Sequence, residues 1–394
     1  MANPPYSVLY MRKDIPGKGR GLVAKRTLEP GTSLFYDNVP LFWLNPPLDI
    51  EEVRWRDKLV ALRSLDNRAW PETTWSLAFR DLHNAFPGRA ERPELGTYRT
   101  NRVPACGETE SVWRLVSLLN HSCAPNAFYG SWGMGHAEVH IIKRVAPGEE
   151  ITRSYTSTIG GKRRQELAEI FGFVCVCSVC KPVPNGFVSP VFGPVSRRRL
   201  VPDDEDALYR ELFEIVSGLI VKTKELELPH QTMFLAGLGS TLLDRLGIVD
   251  DRLTGMIEMA FIVAVTQKDM ARAKTFAKLV LQRQQICVGK YRRPEIKRAQ
   301  RMVDFPEEFA GRYSSNNWDV PKDDRPRQNT IFERHMWLWR VDYPHDTTSL
   351  ASLASLTGLV LLIPRGLRII AASAPIARGR WTPDEKARVE SFRI

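Results

Sequence analysis

The sequence predicts an α+β protein with two main parts. Short strand-like segments, separated by glycine and proline turns, extend from residue 7 to residue 155 around one helical insertion. Three cysteines, Cys175, Cys177 and Cys180, then follow close together. From residue 206 onward the apolar residues recur at helical spacing. We therefore expect a β-rich domain that ends in a cysteine-rich segment, followed by an α-helical domain.

The β-rich part has strand signals on both sides of its insertion. A glycine-rich turn over residues 17–21 lets the backbone approach a ligand closely, although a plain hairpin loop explains such a stretch more often. Trp55, Leu59 and Leu62 lie at helical spacing and predict a helical insertion over about residues 45–95. The expected strands are 7–13, 21–26, 28–42, 138–145 and 150–155, with a short helix at 162–170.

The second half begins after a proline-rich linker at residues 182–204. We expect a helical domain at 205–345, with Leu208, Leu212, Ile215 and Leu219 on one buried face. Further helices are predicted at 233–246, 256–265 and 271–288, arranged as antiparallel hairpins similar to tetratricopeptide arrays. The aromatic patch at 332–339 is typical of a docking helix, and the structure of the tail at 346–394 is left open.

Composition limits the classes of function. The net charge of +11 and a pI near 9.4 are compatible with an anionic partner, but Lys and Arg are spread along the chain. Because motifs that read nucleic-acid grooves are missing, nucleic-acid binding is disfavoured.

The apolar run at 349–363 is shorter than the roughly 20 residues that span a bilayer. Since the N-terminus does not resemble a signal peptide, we expect a cytoplasmic and/or nuclear protein without a membrane partner.

Six cysteines in a reducing compartment argue against a disulfide framework. The group at 175–180 is consistent with buried structural thiols, but a zinc site explains its spacing better, since zinc takes four soft ligands in a tetrahedron. Cys123 is the expected fourth ligand and Cys106 its rival. Cys106 and Cys287 are left over from this set, and an ordinary buried position explains either of them.

Two motifs precede this group. Residues 120–126 read Asn-His-Ser-Cys-Ala-Pro-Asn, and residues 148–155 read Gly-Glu-Glu-Ile-Thr-Arg-Ser-Tyr. With the cysteines, in this order and spacing, they resemble the catalytic core of the SET-domain protein lysine methyltransferases, closest to the SET-and-MYND branch and fungal SET proteins. Because the first cysteine of the chain is Cys106, the MYND finger of that branch is lacking. The resemblance implies a SET domain at 5–156 and a zinc-binding post-SET segment at 157–181.

The resemblance also implies S-adenosylmethionine as cofactor. Asn120 and His121 would hold its amino acid and adenine ends, and Lys18 and Arg20 its carboxylate. Phe173 matches the aromatic residue that stacks on adenine, although a core position beside the metal explains it as well. Asn101 lies near a family asparagine beside the cofactor.

Tyr155 matches the family's central catalytic residue. It would orient the lysine amine in a narrow apolar channel that Phe171 helps to line, and the channel would favour the neutral amine. A strand tyrosine with a satisfied hydroxyl is the alternative. In the family, the Asn120 and Tyr155 segments meet where one threads under a loop of the other.

Three functions follow from these residues. The first is a protein-lysine N-methyltransferase, which methylates a protein substrate, histone or non-histone, that presents a lysine. The second is a catalytically weak interaction protein that docks partners through its helical half. The third is a zinc-stabilised nucleic-acid-binding protein. We expect a monomer.

Overall fold

The computed structural model divides into two compact units. One comprises residues 1–181, 244–252 and 282–296, and the other residues 182–243, 253–281 and 297–394. The described residues are 8–37, 42–44, 82–83, 97, 100–104, 110–132, 136–159, 162–175, 177, 180, 188–189, 193–194, 213–221, 229–289, 294–310 and 337–339.

The first unit contains a four-stranded sheet in the order β1-β2-β10-β7. Strands β1 (Tyr10–Ile15) and β2 (Gly19–Ala24) form an antiparallel hairpin, and β10 (Glu150–Arg153) pairs antiparallel with β2. Gly17 and Gly19 have φ angles of 74° and 73°, so the hairpin uses backbone conformations that favour glycine. The glycine-rich turn therefore has a structural role whether or not a ligand lies against it.

The last strand of this sheet, β7 (Asn120–His121), runs parallel to β10. Its two residues pair with Thr152 and Arg153, although about 30 positions separate them in the chain. The two motifs singled out in the sequence are therefore neighbours in the sheet.

Two three-stranded sheets complete the β part of this unit. Their order is β3-β9-β8 in one and β4-β6-β5 in the other. The strands are β3 (Ser33–Asp37), β4 (Phe42–Leu44), β5 (Val103–Pro104), β6 (Glu110–Val112), β8 (Ala127–Trp132) and β9 (His136–Ile141). Apolar residues from several strands form one buried core, among them Leu22, Trp113, Val139 and Ile151. Burial of these side chains supplies the main stabilisation of the unit.

Short helices flank β7 and β10 along the chain. A 3-10 helix, Val116–Leu118, precedes β7, and the carboxylate of Asp37 accepts the backbone N–H of Leu115 at 2.7 Å just before it. Helix α1 (Lys162–Phe171) follows β10 and leads directly to the cysteines. Asp37 thus fixes the chain that enters the Asn120-His121 motif.

The remaining helices are α2 (Pro229–Arg245), α3 (Asp251–Thr266), α4 (Met270–Val288) and α5 (Pro294–Asp304), with residues 213–221 also helical. The second unit has its own buried core, which includes Met233, Phe261 and Phe276. Leu338 is buried in that core, and the rings of Trp339 and Phe276 meet edge to face at 5.0 Å. The described end of the aromatic patch therefore packs on the helices, as predicted.

One expectation about the C-terminal half needs correction. In residues 213–221 the buried side chains are Phe213, Val216 and Ile220, whereas Ile215 is 44% exposed. Two apolar stripes lie side by side on this helix, and periodicity alone does not decide which one is buried. Helix α5 lies within the predicted helical domain, although no separate helix was predicted at its position. A short hairpin, β11 (Val188–Ser189) with β12 (Gly193–Pro194), lies inside the predicted linker.

Among the described helices, none is long and apolar enough to cross a membrane. Almost all of the predicted insertion at 45–95, the apolar run at 349–363 and the tail at 346–394 lie outside the described residues. The tetratricopeptide-like arrangement stays a prediction.

Candidate active site and metal centre

The parallel pairing of β7 with β10 brings His121 close to Tyr155, two residues after the end of β10. The backbone N–H of Ser122 donates to the carbonyl of Arg153 at 3.0 Å, which extends the pairing by one residue. The backbone N–H of Tyr155 then donates to Nδ1 of His121 at 3.0 Å. Two predicted site residues are thus joined by a direct hydrogen bond.

His121 is buried, and its two ring nitrogens have different partners. Because Nδ1 accepts from Tyr155, the ring proton of a neutral imidazole lies on Nε2. Nε2 is 3.3 Å from Sγ of Cys123, so it donates toward that sulfur. Burial, together with the nearby charge of Arg153, lowers the pKa of His121 to about 3. The imidazole is therefore neutral near pH 7 and links Tyr155 to the cysteines.

Tyr155 lies in an aromatic cluster formed by His121, Tyr155, Phe171 and Phe173. Its ring centroid is 4.9 Å from that of Phe171, 5.3 Å from that of His121 and 6.1 Å from that of Phe173. The hydroxyl donates to the carbonyl of Leu119 at 2.9 Å, and burial raises the pKa of Tyr155. The hydroxyl therefore stays protonated, and its oxygen lone pairs can still accept a hydrogen bond.

The two phenylalanines of the cluster differ in exposure. Phe171 is buried, at 7% exposed, whereas Phe173 is only partly buried. The ring of Phe173 is 5.9 Å from that of His121. An incompletely covered aromatic ring beside His121 can stack on a flat ligand, while Phe171 packs under Tyr155.

A charged network lies on the same sheet. Nζ of Lys18 donates to Oε2 of Glu150 at 2.6 Å, and Nδ2 of Asn120 donates to Oε1 of the same carboxylate at 2.8 Å. Sequence reasoning had singled out Lys18 and Asn120 but missed Glu150. The available signal was the second glutamate of the Gly-Glu-Glu motif, which starts the strand that pairs with both β2 and β7.

Gly21 makes this network possible. A Cβ at Gly21 would lie 2.8 Å from Nδ2 of Asn120 and 2.8 Å from Cγ1 of Ile15. Those distances are too short for real side chains, so the asparagine amide occupies space that only glycine leaves open. At Gly21 the backbone therefore approaches the Asn120 side chain closely, and the expected close approach to a ligand stays a prediction.

Arg20 and Asn101 were both predicted to contact the cofactor, but they differ in their contacts with the other predicted site residues. The carbonyl of Arg20 accepts from Nδ2 of Asn120 at 3.3 Å, so its main chain belongs to the network. Asn101 is buried, and its amide donates to the carbonyls of His83 and Thr97, both at 2.7 Å. Within the described residues, no contact joins Asn101 to Lys18, Asn120 or the aromatic cluster.

The four cysteines Cys123, Cys175, Cys177 and Cys180 form the cysteine cluster. All are buried and reduced, and their sulfurs lie within 4.8 Å of one another. Sγ of Cys123 is 3.8 Å from that of Cys175 and 3.5 Å from that of Cys180. Zn–S bonds of about 2.3 Å in a tetrahedron require sulfurs about 3.8 Å apart, so the cluster fits a zinc ion.

Of the two remaining cysteines, the structure describes only Cys287. Cys287 is 1% exposed, and burial raises the pKa of its thiol to about 12, as for an ordinary buried cysteine. Cys106 lies outside the described residues. Cys123 thus completes the set of four predicted from the sequence.

Helix α1 supplies a further residue that sequence reasoning missed. Nη2 of Arg163 donates to Sγ of Cys180 at 3.1 Å, and Nη1 donates to the carbonyl of Ile159. Arg163 is only 3% exposed. A buried guanidinium that contacts a sulfur favours the thiolate form, which is the form that binds metal.

Comparison with known proteins finds similarity to SET-domain proteins. The family model described as the SET domain matches residues 19–156. The histone-lysine N-methyltransferase set5 of Schizosaccharomyces pombe is 30% identical over 182 residues, which cover 45% of this chain and 52% of that protein. A SET and MYND domain-containing protein of Dictyostelium discoideum is 39% identical over 71 residues, which cover 18% of this chain and 21% of that protein. The chain spans about half or less of the length of these relatives.

Solved structures give a weaker likeness. The SET domain of LSMT bound to lysine and AdoHcy aligns with 78% of this chain and 85% of its own, at 13% identity and a TM-score of 0.28.

Proposed function

We propose that the chain, which matches the SET domain family model over residues 19–156, transfers a methyl group from S-adenosylmethionine to a lysine side chain of a protein substrate. The observation that carries this proposal is the hydrogen bond from the Tyr155 backbone to His121 within the aromatic cluster. It joins the two sequence motifs in one site.

Tyr155 is the proposed catalytic residue. A lysine amine with a pKa near 10.4 is almost wholly protonated at pH 7 and then has no lone pair with which to attack. The aromatic rings around Tyr155 exclude water, and the Arg153 guanidinium lies 4.2 Å from the Tyr155 ring centroid; desolvation and like charge both disfavour the ammonium form. The Tyr155 hydroxyl, held by the carbonyl of Leu119, has lone pairs that can accept a hydrogen bond from the neutral amine. Orientation of the amine in this way favours in-line transfer. Phe171 lines the same channel.

The cofactor supplies an electrophilic methyl group on its sulfonium when it is bound. Its amino acid end carries an ammonium and a carboxylate, and the network of Lys18, Asn120 and Glu150 offers both signs of charge and an amide. Phe173 offers a partly exposed ring for the adenine. We assign His121 and Arg20 to the same site through their contacts with Tyr155 and Asn120. Asn101 keeps a weaker place in the proposal, because its described contacts lie elsewhere.

We assign a structural role to the cysteine cluster. Four thiolates fill the coordination of a zinc ion and leave no position for water or substrate, which is typical of a structural site. Phe173 and Cys175 are nearly adjacent in the chain, so a bound zinc would hold the proposed adenine site in place.

We infer the substrate class from the name of a relative. The set5 protein is named a histone-lysine N-methyltransferase, which favours a histone for this chain and, with it, a nuclear location. A non-histone protein that presents a lysine is the alternative substrate. The helical half is the proposed docking surface for such a substrate.

Methyl transfer tests the proposal directly. The zinc-loaded chain is incubated with methyl-labelled S-adenosylmethionine and either purified histones or a cell extract, and the modified residues are identified by mass spectrometry. We expect label on lysine. Cofactor binding without transfer to any protein would favour the interaction protein instead.

A further inference from the structure

Arg163 has an unusual environment for a buried cation. Its side chain is 3% exposed, and among the described residues no carboxylate pairs with it. A buried guanidinium is costly unless a negative group compensates its charge. Among its described hydrogen-bond partners, the one that can carry a negative charge is Sγ of Cys180 at 3.1 Å; the other is the neutral carbonyl of Ile159. The cysteine cluster is therefore the source of the compensating charge.

A zinc ion bound by four thiolates would carry a net charge of about −2, which is itself costly in a buried site. Donors to the sulfurs reduce that cost, and such outer-shell partners fix the orientation of metal ligands. Two are present. Arg163 donates to Cys180, and Nε2 of His121 donates to Cys123, on two sulfurs that are 3.5 Å apart.

Both donors also bind the loop that begins with Tyr155. His121 accepts the backbone N–H of Tyr155, at the start of residues 155–159. Arg163 donates to the carbonyl of Ile159, at the end of the same segment. Each donor thus connects one end of this segment to one sulfur of the cluster.

We propose that Arg163 and His121 are positioning residues that hold residues 155–159 against the metal-bound cysteines, so that the metal fixes the position of Tyr155. This inference rests on the proposed function, because it requires a metal in the cysteine cluster. Arg163 binds the Ile159 end of the segment, and no described hydrogen bond or ring contact joins it to the aromatic cluster. A substitution at Arg163 therefore tests the positioning of residues 155–159 without altering a residue of the proposed catalytic site.

Zinc release and hydrogen exchange test the proposal without reference to activity. The full chain is compared with Arg163→Met, which removes the donors, with Arg163→Lys, which keeps the charge but has only one nitrogen, and with Gln165→Ala. Gln165 is exposed on the same helix and serves as the matched control. Zinc release to an excess of chelator is followed with a metal-sensitive dye. Amide exchange is measured for peptides that cover residues 155–159 and, as a folding control, strands β8 and β9.

We expect Arg163→Met to release zinc about 10- to 100-fold faster than the wild type, Arg163→Lys to be intermediate, and Gln165→Ala to be unchanged. In Arg163→Met at saturating zinc, residues 155–159 should exchange faster while β8 and β9 keep their protection. Removal of zinc from the wild type should have the same local effect.

The possible failures are distinguishable. A wild-type chain that holds no zinc would overturn the proposed metal site. A zinc-bound wild type with equal release from Arg163→Met would overturn the outer-shell role of Arg163 and leave the metal site intact. Faster release with unchanged exchange at 155–159 would overturn the link to Tyr155. If Arg163→Met loses protection in β8 and β9, it is unfolded there, and zinc release and amide exchange at 155–159 are compared between Arg163→Lys and the wild type instead.

Discussion

The backbone N–H of Tyr155 donates to Nδ1 of His121 at 3.0 Å, and this bond sets the direction of the imidazole. Because Nδ1 accepts, Nε2 faces Sγ of Cys123 at 3.3 Å. The proposed catalytic residue, cofactor site and metal centre are therefore connected through one side chain.

Cys123 and Cys287 should differ in their effect on metal content. Cys123→Ser removes one of four sulfurs from the cluster, so the purified chain should contain less than one zinc and melt at a lower temperature. Cys287→Ser changes a buried cysteine that lies outside the cluster and should keep its zinc. Elemental analysis of the two variants, with thermal unfolding, checks this. Full zinc content in Cys123→Ser would contradict the assignment of this ligand.

Gly21→Ala should weaken both the fold and cofactor binding. The added methyl group would lie 2.8 Å from Nδ2 of Asn120, and relief of such overpacking typically costs about 1–3 kcal/mol. At Gly255, in helix α3, no described atom lies within 4 Å of an added Cβ, so Gly255→Ala should stabilise by about 1 kcal/mol. Denaturant unfolding measures the free energy of unfolding of both variants. Equal stability of the two variants would show that the Asn120 amide does not require the glycine.

Glu150→Gln should lower the affinity for S-adenosylmethionine with little effect on stability. The pair with Lys18 is partly exposed, and such pairs contribute about 1 kcal/mol or less to folding. Loss of the charge should disturb the orientation of both Lys18 and Asn120, and we expect the dissociation constant to rise about tenfold, or 1.4 kcal/mol. Calorimetric titration checks this. Glu29→Gln, which breaks a highly exposed pair with Arg144, is the control and should bind normally.

Asp37 should make the folded chain less stable as the pH rises. Burial is the main reason that the pKa of Asp37 is raised to about 6. The folded state therefore holds this proton more tightly than the unfolded state, and the associated stability is lost as the pH rises through 6. Relative to Asp37→Asn, which does not titrate, the wild type should lose about 1.4 kcal/mol between pH 5 and pH 8.

Urea unfolding of the wild type and Asp37→Asn at both pH values measures this difference, since all other titrations are common to the two proteins. A difference that does not change with pH would mean that the Asp37 carboxyl titrates at its ordinary pKa in the folded chain.

Much of the β part was predictable from the sequence because its signals are local. Alternation and turn residues predicted β1, β2, β9, β10 and α1 to within a few residues. The unusual spacing of the cysteines predicted their cluster. The neighbourhood of Asn120 and Tyr155, by contrast, depends on the parallel pairing of β7 with β10, which only the family resemblance anticipated.

Glu150 and Arg163 could not be predicted from the sequence for the same physical reason. Glu150 and Arg163 act through partners that are distant in the chain or on another element, and nothing in their local sequence marks those contacts. The choice between the two apolar stripes of residues 213–221 likewise depends on which neighbour covers the helix.

The central claim is tested most directly by methyl transfer with Tyr155→Phe at equal zinc content. Tyr36→Phe, which alters an exposed tyrosine on β3, is the matched control. We predict that Tyr155→Phe binds S-adenosylmethionine normally but loses about 100-fold or more in the rate of lysine methylation, while Tyr36→Phe is unchanged. Wild-type turnover by Tyr155→Phe would contradict the assignment of Tyr155 as the catalytic residue.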